Sequence, residues 1–336
     1  MTPRRWAWLI VIAIAVLAGA TYGRRYTDGV LRHRVRVPGN AQARFAGFYA
    51  AAAQGYYAAE GLSPAVEAGG TPTAVVDAVG RGQAAFGVAW LVDVLVAQDA
   101  GVPVQHIAQL FAAGGLRHVS RKGAGTVSPR DYRGKRVAVW FGGREYPLLA
   151  TLEKYGLGAR DVTLVQQRAD VALFLAGEVA ATAAMSYDEV WHILQAGLAA
   201  DDLAILDFNR EGTAVLEDGI VVNEGWLQEP AHKDLAVRFL RATLKGWEYC
   251  RAHPAECVEL VLKENPRLDR AHQTWMMAEV NKLVWGGPGA AALPGRLDPV
   301  AFHRTARILL KFGALRRPPD AGAYTHEIWR LATGKP

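Results

Sequence analysis

Aromatic side chains and one carboxylate lie at the ends of several predicted strands of this chain. Trp90 follows the apolar residues 85–88, and Trp140 closes a second apolar run. Tyr187 ends a third run, two residues before Glu189. Aromatic rings stack on other rings, and a glutamate accepts hydrogen bonds from ring N–H and amino groups. The set predicts a site for a flat, nitrogen-containing ligand, whereas each ring taken singly is equally suited to filling the core.

Further candidates surround these residues at the same strand ends. The stretch 136–157 passes from an apolar strand through two glycines into a helical pattern, which brings backbone amides close to any ligand there. A purely structural corner would need the same glycines, and Glu145 equally suits a helix start, where the helix dipole favours a carboxylate. The candidate ligand-binding residues are Asn40, Gln42, Phe45, Trp90, Trp140, Phe141, Gly142, Gly143, Glu145, Tyr187 and Glu189.

Most familiar catalytic and cofactor motifs are missing from the sequence. It contains no G-x-x-x-x-G-K-[ST] phosphate loop, no G-x-G-x-x-G dinucleotide turn, no G-x-S-x-G nucleophile elbow and no H-E-x-x-H zinc helix. Two E-x-x-H pieces occur, Glu189 with His192 and Glu229 with His232. We interpret them as coincidence, because a di-metal site needs paired copies on facing helices. The sequence predicts no catalytic residue, no metal site and no cofactor.

The positive charge of the chain is confined to its N-terminus. The net charge is +6, from 38 Lys and Arg against 32 Asp and Glu. Residues 1–36 hold seven arginines and a single acidic residue, Asp28, so the remaining 300 residues are balanced. A nucleic-acid-binding domain carries positive charge on its folded body. We therefore predict no nucleic-acid partner.

Residues 1–30 have the pattern of a targeting segment followed by a basic arm. Arg4 and Arg5 precede an apolar run at 6–20, and residues 18–20 form an A-x-A cleavage pattern. The run is short for a membrane span of about 20 residues, and the arginines that follow it oppose transfer across a membrane. We predict export to the periplasm or the outer face of the cytoplasmic membrane. The segment is then either a cleaved signal peptide or a retained anchor that contacts the membrane.

Cys250 and Cys257 are the only cysteines in the sequence. Pro254 lies between them and predicts the start of a new helix. A disulfide across this corner is compatible with export. We favour two buried free thiols, because free cysteine is among the most buried residue types.

Strand-like and helix-like patterns alternate beyond the N-terminal arm. One set occupies residues 34–111 and a second 137–207, and the polar stretch 117–133 is predicted to cross between them. A return strand is expected at 220–223, and residues 233–331 are predicted to be mostly helical. Alternating βα units predict an α/β fold with a largely parallel sheet and helices on both faces. Two such sets predict two lobes with a ligand cleft between them.

Several motifs resemble those of the periplasmic substrate-binding proteins of ABC importers, in the branch that includes the thiamine-pyrimidine synthase-like proteins. The resemblance covers residues 35–330 and implies a two-lobed type II periplasmic binding protein fold with a ligand cleft between the lobes. Lobe 1 is expected to comprise residues 31–120 and 220–336, and lobe 2 residues 121–219. The motifs that carry the resemblance include Gly47-Phe48-Tyr49-Ala50, Gly80-Arg81-Gly82-Gln83-Ala84-Ala85-Phe86-Gly87 and Tyr187-Asp188-Glu189.

The resemblance also implies a function. It implies a solute-binding component that captures a small planar nitrogen heterocycle, either a thiamine-pyrimidine precursor or a riboflavin-like molecule, and delivers it to an ABC permease. Asp188 departs from this branch, in which asparagine is usual at that position. Relatives that bind sulfonates and nitrate suggest an anion-binding alternative, in which the amides of Gly142 and Gly143 would hold the anion at a helix N-terminus.

An enzymatic alternative comes from the same family. It includes a pyrimidine synthase that builds its product from pyridoxal phosphate and its own histidine, and that needs a Schiff-base lysine and a cysteine-rich iron site. In this chain Ala89 stands where the lysine should be and Asp93 where the histidine should be, and the cysteine cluster is absent. Because a Schiff base cannot form without an amine, we predict that the protein is not an enzyme.

Overall fold

The computed structural model describes residues 34–286 and 293–336. The expected signal segment or anchor at residues 1–30 lies outside the described residues, as do residues 287–292 of a Gly/Pro-rich loop. Within the described ranges, no helix has both the length and the apolar character needed to cross a membrane.

Ten strands form two five-stranded sheets in the described part of the chain. The first sheet has the order β2-β1-β3-β10-β4 and the second the order β7-β6-β8-β5-β9. The strands are β1 (Arg34–Val37), β2 (Ala65–Ala68), β3 (Phe86–Trp90), β4 (Val104–Gln109), β5 (Leu116–Arg121), β6 (Arg136–Val139), β7 (Thr163–Gln166), β8 (Ala181–Met185), β9 (Leu203–Asp207) and β10 (Asp218–Asn223).

Both sheets are mixed, which corrects the expectation of largely parallel sheets. β1 pairs in parallel with β2 and β3, and β6 pairs in parallel with β7 and β8. The exceptions are β10 and β5, which run antiparallel to both of their neighbours. These two strands directly follow the segments in which the chain passes from one sheet to the other. The parallel pattern therefore holds within each βα set and breaks where the chain changes sheets.

The strand β5 lies inside the stretch that the sequence predicts to be a polar crossing. Its His118 and Ser120 are buried, and the Ser120 hydroxyl donates a hydrogen bond to the Thr126 carbonyl at 2.5 Å. Polar side chains that find partners inside the sheet thus conceal an interior strand. The passages between the sheets are residues 110–115 and 208–217, so the expected lobe boundary at residue 120 falls within β5. We retain two lobes as a proposal, each built on one sheet.

Fourteen α-helices surround the sheets in the described residues, and the long C-terminal ones pack on lobe 1. In chain order they are α1 (Ala46–Ala53), α2 (Tyr56–Ala59), α3 (Pro72–Gly80), α4 (Leu91–Asp99), α5 (Tyr146–Lys154), α6 (Ala172–Leu175), α7 (Glu189–Gln195), α8 (Phe208–Glu211), α9 (Glu224–Leu227), α10 (Pro230–Ala252), α11 (Pro254–Glu264), α12 (Arg270–Trp285), α13 (Pro299–Lys311) and α14 (Glu327–Thr333).

Helices α1 and α10 pack unusually closely. A Cβ atom added to Gly47 would lie 2.4 Å from the buried ring of Trp247, and one added to Gly246 would lie 2.0 Å from the Gly47 carbonyl oxygen. No real side chain tolerates such distances, so both positions need glycine. The close contact fixes α1, and with it the β1–α1 corner that faces the second sheet.

Cys250 and Cys257 form a disulfide, which corrects the preference for free thiols. Helix α10 ends at Ala252 and α11 begins at Pro254, so the chain turns sharply between the two cysteines. The turn brings their Cα atoms to 5.5 Å, within the usual range for a disulfide. Both residues are fully buried, as predicted.

Candidate functional site

A cleft of about 200 Å³ lies between the two lobes, and both lobes contribute to its walls. The β1–α1 corner, the start of α3 and the end of β3 supply the lobe 1 side. The β6–α5 and β8–α7 corners supply the lobe 2 side. The residues that line it are Gln42, Arg44, Pro72, Trp90, Trp140, Arg144, Met185, Tyr187, Asp188 and Glu189.

Five of the eleven sequence-predicted residues meet in this cleft. They are the two tryptophans, the tyrosine, the glutamate and the glutamine, which the chain presents from four different corners. Their shared position at strand ends explains why they meet, because the ends of neighbouring strands open onto the same cleft. These residues are Gln42, Trp90, Trp140, Tyr187 and Glu189.

The remaining candidates do not line the cleft. Phe45 is buried in the core of lobe 1, Asn40 is exposed outside the cleft, and the Phe141 side chain is 47% exposed. The first is drawn inward because the turn Ala43–Phe45 leads directly into α1, whose apolar face packs on α10. For these three residues a role in ligand contact has no geometric support.

The Gly142-Gly143 corner uses its own polar groups. The Gly143 amide donates to the Glu145 carboxylate at 2.7 Å, and the Gly142 carbonyl accepts from Arg144 at 2.8 Å. Glu145 is buried and directly precedes α5, which matches the helix-start alternative. The Gly143 amide is therefore occupied within the corner, and the expectation that it binds the ligand is corrected.

Arg144 joins the two lobes beside the cleft. Its guanidinium donates to both carboxylate oxygens of Asp93 on α4, at 2.9 and 2.5 Å. The same guanidinium lies over the Trp90 ring, 4.8 Å from its centroid. Asp93 is the residue that stands in place of the synthase histidine, and here it is buried in an ion pair. A two-pronged pair of this kind fixes the relative position of both partners.

A second arginine, Arg44, lies on the opposite side of the cleft. Its guanidinium donates to both carboxylate oxygens of Asp218 at the start of β10, one of them at 2.6 Å. Burial lowers the pKa of Arg44, but the carboxylate of Asp218 outweighs burial and raises that pKa above its ordinary value. Both cleft arginines are thus charged and each is neutralised by a buried aspartate.

Tyr187 and Glu189 form the lobe 2 wall between these arginines. The Tyr187 hydroxyl is buried and finds no hydrogen-bond partner among residues 34–286 and 293–336. Glu189 accepts from the Met185 amide at 2.8 Å. Burial, reinforced by the neighbouring Asp188, raises the pKa of the Glu189 carboxyl to about 8. The wall therefore offers a hydroxyl and a carboxyl group to a ligand with matching donors and acceptors.

A third buried carboxyl group connects the passages between the lobes. Glu217 directly precedes β10 and accepts the Leu116 amide of β5 at 2.8 Å. Burial raises the pKa of Glu217 to about 7, although the backbone donors at Gly115 and Leu116 oppose that rise. The group lies where the lobes must hinge if the cleft opens.

The sequence analysis did not identify the residues that set the charge of the site. Arg44 and Arg144 adjoin predicted candidates, and their position next to Phe45 and Gly143 was the available signal. Their partners are 174 and 51 residues away in the chain. No local pattern predicts pairs so distant.

Comparison with known proteins gives one family match and one curated relative. A family model described as NMT1/THI5 like matches residues 42–257. The riboflavin-binding protein RibY of Chloroflexus aurantiacus is 26% identical over 303 residues, which cover 85% of this chain and 82% of that protein.

Solved structures share the fold at low sequence identity. The alkanesulfonate-binding protein SsuA from Xanthomonas axonopodis pv. citri, bound to MOPS, is similar with a TM-score of 0.64 at 17% identity, covering 87% of this chain and 98% of that one. The desulfurization enzyme DSZB, in complex with biphenyl-2-sulfinic acid, gives a TM-score of 0.64 at 16% identity and covers 90% and 99%. Both a binding protein and an enzyme therefore have this architecture.

Proposed function

Because the chain belongs to the NMT1/THI5-like family, we propose that it is the solute-binding component of an ABC importer and captures a small planar nitrogen heterocycle. Its two mixed sheets with flanking helices form the type II periplasmic binding protein fold. The curated relative is a riboflavin-binding protein by name. A flavin is accordingly the first ligand to test, and a thiamine-pyrimidine precursor the second.

The observation that carries the proposal is an aromatic cleft without unpaired positive charge. Trp90 from lobe 1 and Trp140 from lobe 2 line the same cavity, together with Tyr187. Aromatic walls favour flat rings. The Tyr187 hydroxyl and the Glu189 carboxyl supply polar contacts at the edge of such a ring. Planar shape and edge polarity are the two properties that distinguish a heterocycle from an aliphatic solute.

The charge of the cleft argues against a sulfonate or nitrate ligand. An anion site needs positive charge or free amides directed at the ligand. Arg44 and Arg144 are each paired with a buried aspartate, and the Gly143 amide donates to Glu145. Asp188 and Glu189 add further carboxyl groups to the wall. An anion would therefore meet a cleft whose donors already have partners.

The residues of the cleft do not fit the pyridoxal phosphate chemistry of the synthase alternative. Of the described residues that line the cleft, none is a lysine. Ala89 lies within β3 with no amine to form a Schiff base, and Asp93 is held by Arg144. We accordingly derive no reaction through that cofactor, and the proposal remains ligand capture.

The width of the cleft bears on which heterocycle binds. Its volume of about 200 Å³ is smaller than the ~300–1,000 Å³ of most ligand pockets. A single pyrimidine ring needs less space than a three-ring flavin. A flavin would require the lobes to separate further around the passages 110–115 and 208–217, as hinged binding proteins do.

Export to an oxidising compartment is part of the proposal. The Cys250–Cys257 disulfide suits such a compartment, where disulfides persist. The apolar run at residues 6–20 has the pattern of a signal segment or anchor. The partner in this account is an ABC permease, which receives the ligand when the cleft opens.

Flavin fluorescence provides the test, because stacking on tryptophan quenches it. We expect riboflavin titrated with the purified protein to lose fluorescence, and Trp140→Ala to weaken binding about tenfold or more, since stacking on one aromatic side chain contributes ~1–3 kcal/mol. Trp226→Ala is the matched control, because that half-buried tryptophan packs against Phe86 and His232 outside the cleft. Equal binding by both variants would show that Trp140 is not a wall of the site. Should riboflavin not bind, the same titration with a thiamine pyrimidine, followed by tryptophan fluorescence, decides between the two heterocycles.

A further inference from the structure

Three side chains outside the proposed stacking walls converge at one end of the cleft. Asp188, His192 and His272 each present one ligand atom, and these atoms all lie within 4.8 Å of one another. Asp188 Oδ1 lies 3.0 Å from His272 Nε2 and 3.5 Å from His192 Nε2. Two imidazoles and one carboxylate form a set that late first-row transition metals bind in proteins.

Secondary structure fixes each of the three positions. Asp188 directly precedes α7, and His192 lies one helical turn later on the same face. His272 lies in the first turn of α12, where its amide donates to the capping carboxylate of Asp269 at 2.7 Å. The Trp191 ring stacks on the His272 ring at 4.7 Å and contacts His192 edge-on at 5.0 Å. The two imidazoles are therefore held by a shared aromatic neighbour as well as by their helices.

The spacing of the three atoms matches a metal site more closely than a set of hydrogen bonds. With metal–ligand distances of about 2.0–2.2 Å, tetrahedral geometry separates ligand atoms by roughly 3.3–3.5 Å. The observed distances of 3.0 and 3.5 Å lie close to that value. His272 Nε2 is buried and makes no hydrogen bond with any described residue, despite its proximity to Asp188. A buried ring nitrogen directed at a carboxylate and a second imidazole is suited to coordination.

The cluster also connects the lobes. Asp188 and His192 belong to lobe 2, whereas α12 is attached to lobe 1 through the Ala43 amide, which donates to Gln273 Oε1 at 2.7 Å. Asp188 lines the ligand cleft itself. A metal ion held by all three residues would therefore link α12 to the β8–α7 corner beside the bound ligand.

We propose that Asp188, His192 and His272 form a binding site for a divalent transition metal such as Zn²⁺, with one coordination position left open. This departs from the interpretation of the E-x-x-H piece as coincidence. The histidine of that piece takes part, but its glutamate accepts from the Met185 amide and the preceding aspartate supplies the carboxylate. The second piece takes no part, because His232 stacks on Trp226. The site does not depend on which solute the cleft captures.

Metal titration of the untagged protein tests the proposal. We expect Zn²⁺ to bind with one equivalent by calorimetry and to raise the melting temperature, because a ligand of the folded state stabilises it. Co²⁺ should give the visible absorption of a tetrahedral or five-coordinate site with nitrogen and oxygen ligands. A polyhistidine tag must be absent, since it would bind both ions. Absence of saturable one-equivalent binding to the folded protein overturns the proposal.

Variants locate the site. His192→Ala and Asp188→Asn should each lower Zn²⁺ affinity at least tenfold, since even residues that only orient a metal ligand are worth ~10–100-fold. His303→Ala is the control, because that exposed histidine on α13 lies outside the cluster. Far-ultraviolet circular dichroism confirms that each variant folds. His272→Ala removes the lobe 1 ligand, and it should abolish the Co²⁺ spectrum. Wild-type affinity in the His192 and His272 variants, or equal loss in the His303 control, contradicts the assignment.

Discussion

At the scale of single residues, the site is defined by buried charges that have partners and by one that lacks a full set. Arg44 and Arg144 each face an aspartate, so their charges are compensated. Glu217 differs, because its Oε1 accepts the Leu116 amide while Oε2 finds no partner in the described ranges. An incompletely paired buried carboxyl group costs least when it is protonated.

Glu217 should therefore make stability depend on pH. Burial raises its pKa from 4.5 to about 7 against the opposing backbone donors, with Asp218 adding to the rise and Arg44 opposing it. The folded state then holds the proton more tightly than the unfolded chain, so this stabilisation is complete below pH 4.5 and is lost as pH rises through 7. Across that window the group contributes up to about 3 kcal/mol.

Glu217→Gln removes this dependence, because an amide does not titrate yet still accepts the Leu116 hydrogen bond. Urea unfolding at pH 5 and pH 8 should show the free energy of unfolding of the variant gaining about 2–3 kcal/mol relative to wild type at the higher pH. Glu178→Gln, at an exposed position, serves as the control and should follow wild type at both values. Parallel pH profiles for wild type and the Glu217 variant would refute this account.

At the scale of elements, the corner between β6 and α5 is a contact between the lobes. Gly142 and Gly143 have φ values of +91° and +106°, which strain any other residue. A Cβ on Gly143 would lie 2.4 Å from Val92 Cγ1 of α4, whereas a Cβ on Gly142 would have nothing within 4 Å. The two glycines thus share a backbone requirement, but only the second is pressed against the other lobe.

Gly143→Ala should accordingly cost more than Gly142→Ala. Both variants incur about 1–3 kcal/mol of backbone strain, and Gly143→Ala adds the clash with Val92. Chemical denaturation measures both free energies of unfolding, and Val92→Ala introduced into the Gly143 variant should recover part of the difference. Equal losses at both glycines, with no recovery, would mean that the corner does not touch α4 in solution.

The elements also show how far sequence reasoning reaches. Apolar runs bounded by glycine predicted the strands that became β3, β6 and β8, because those strands are buried on both faces. The same reasoning missed β5, whose buried His118 and Ser120 resemble a polar loop in the sequence. Strand ends predicted five of the cleft residues for the same geometric reason that placed them together. The ion pairs that neutralise the cleft depend on tertiary contacts, which a single sequence does not encode locally.

At the scale of the whole molecule, the Asp93–Arg144 pair holds the two lobes together beside the cleft. Removing one partner of a buried pair leaves an uncompensated charge, at a cost of about 3–5 kcal/mol. Asp93→Asn should therefore shift the protein towards an open arrangement, and small-angle X-ray scattering should record a larger radius of gyration. Asp234→Asn, which breaks a surface pair with Arg238 within α10, should leave that radius unchanged. An unchanged radius in both variants would exclude the pair as a determinant of closure.

The central claim is that the cleft binds a planar nitrogen heterocycle, and a thermal-shift panel tests it most directly. The panel compares riboflavin, a thiamine pyrimidine, alkanesulfonates and nitrate at equal concentration. Stabilisation follows RT ln(1 + [L]/Kd), about 2.7 kcal/mol at a hundredfold excess over Kd. The account predicts a higher melting temperature with at least one heterocycle and no shift with the anions. A higher melting temperature with sulfonates or nitrate alone would contradict it.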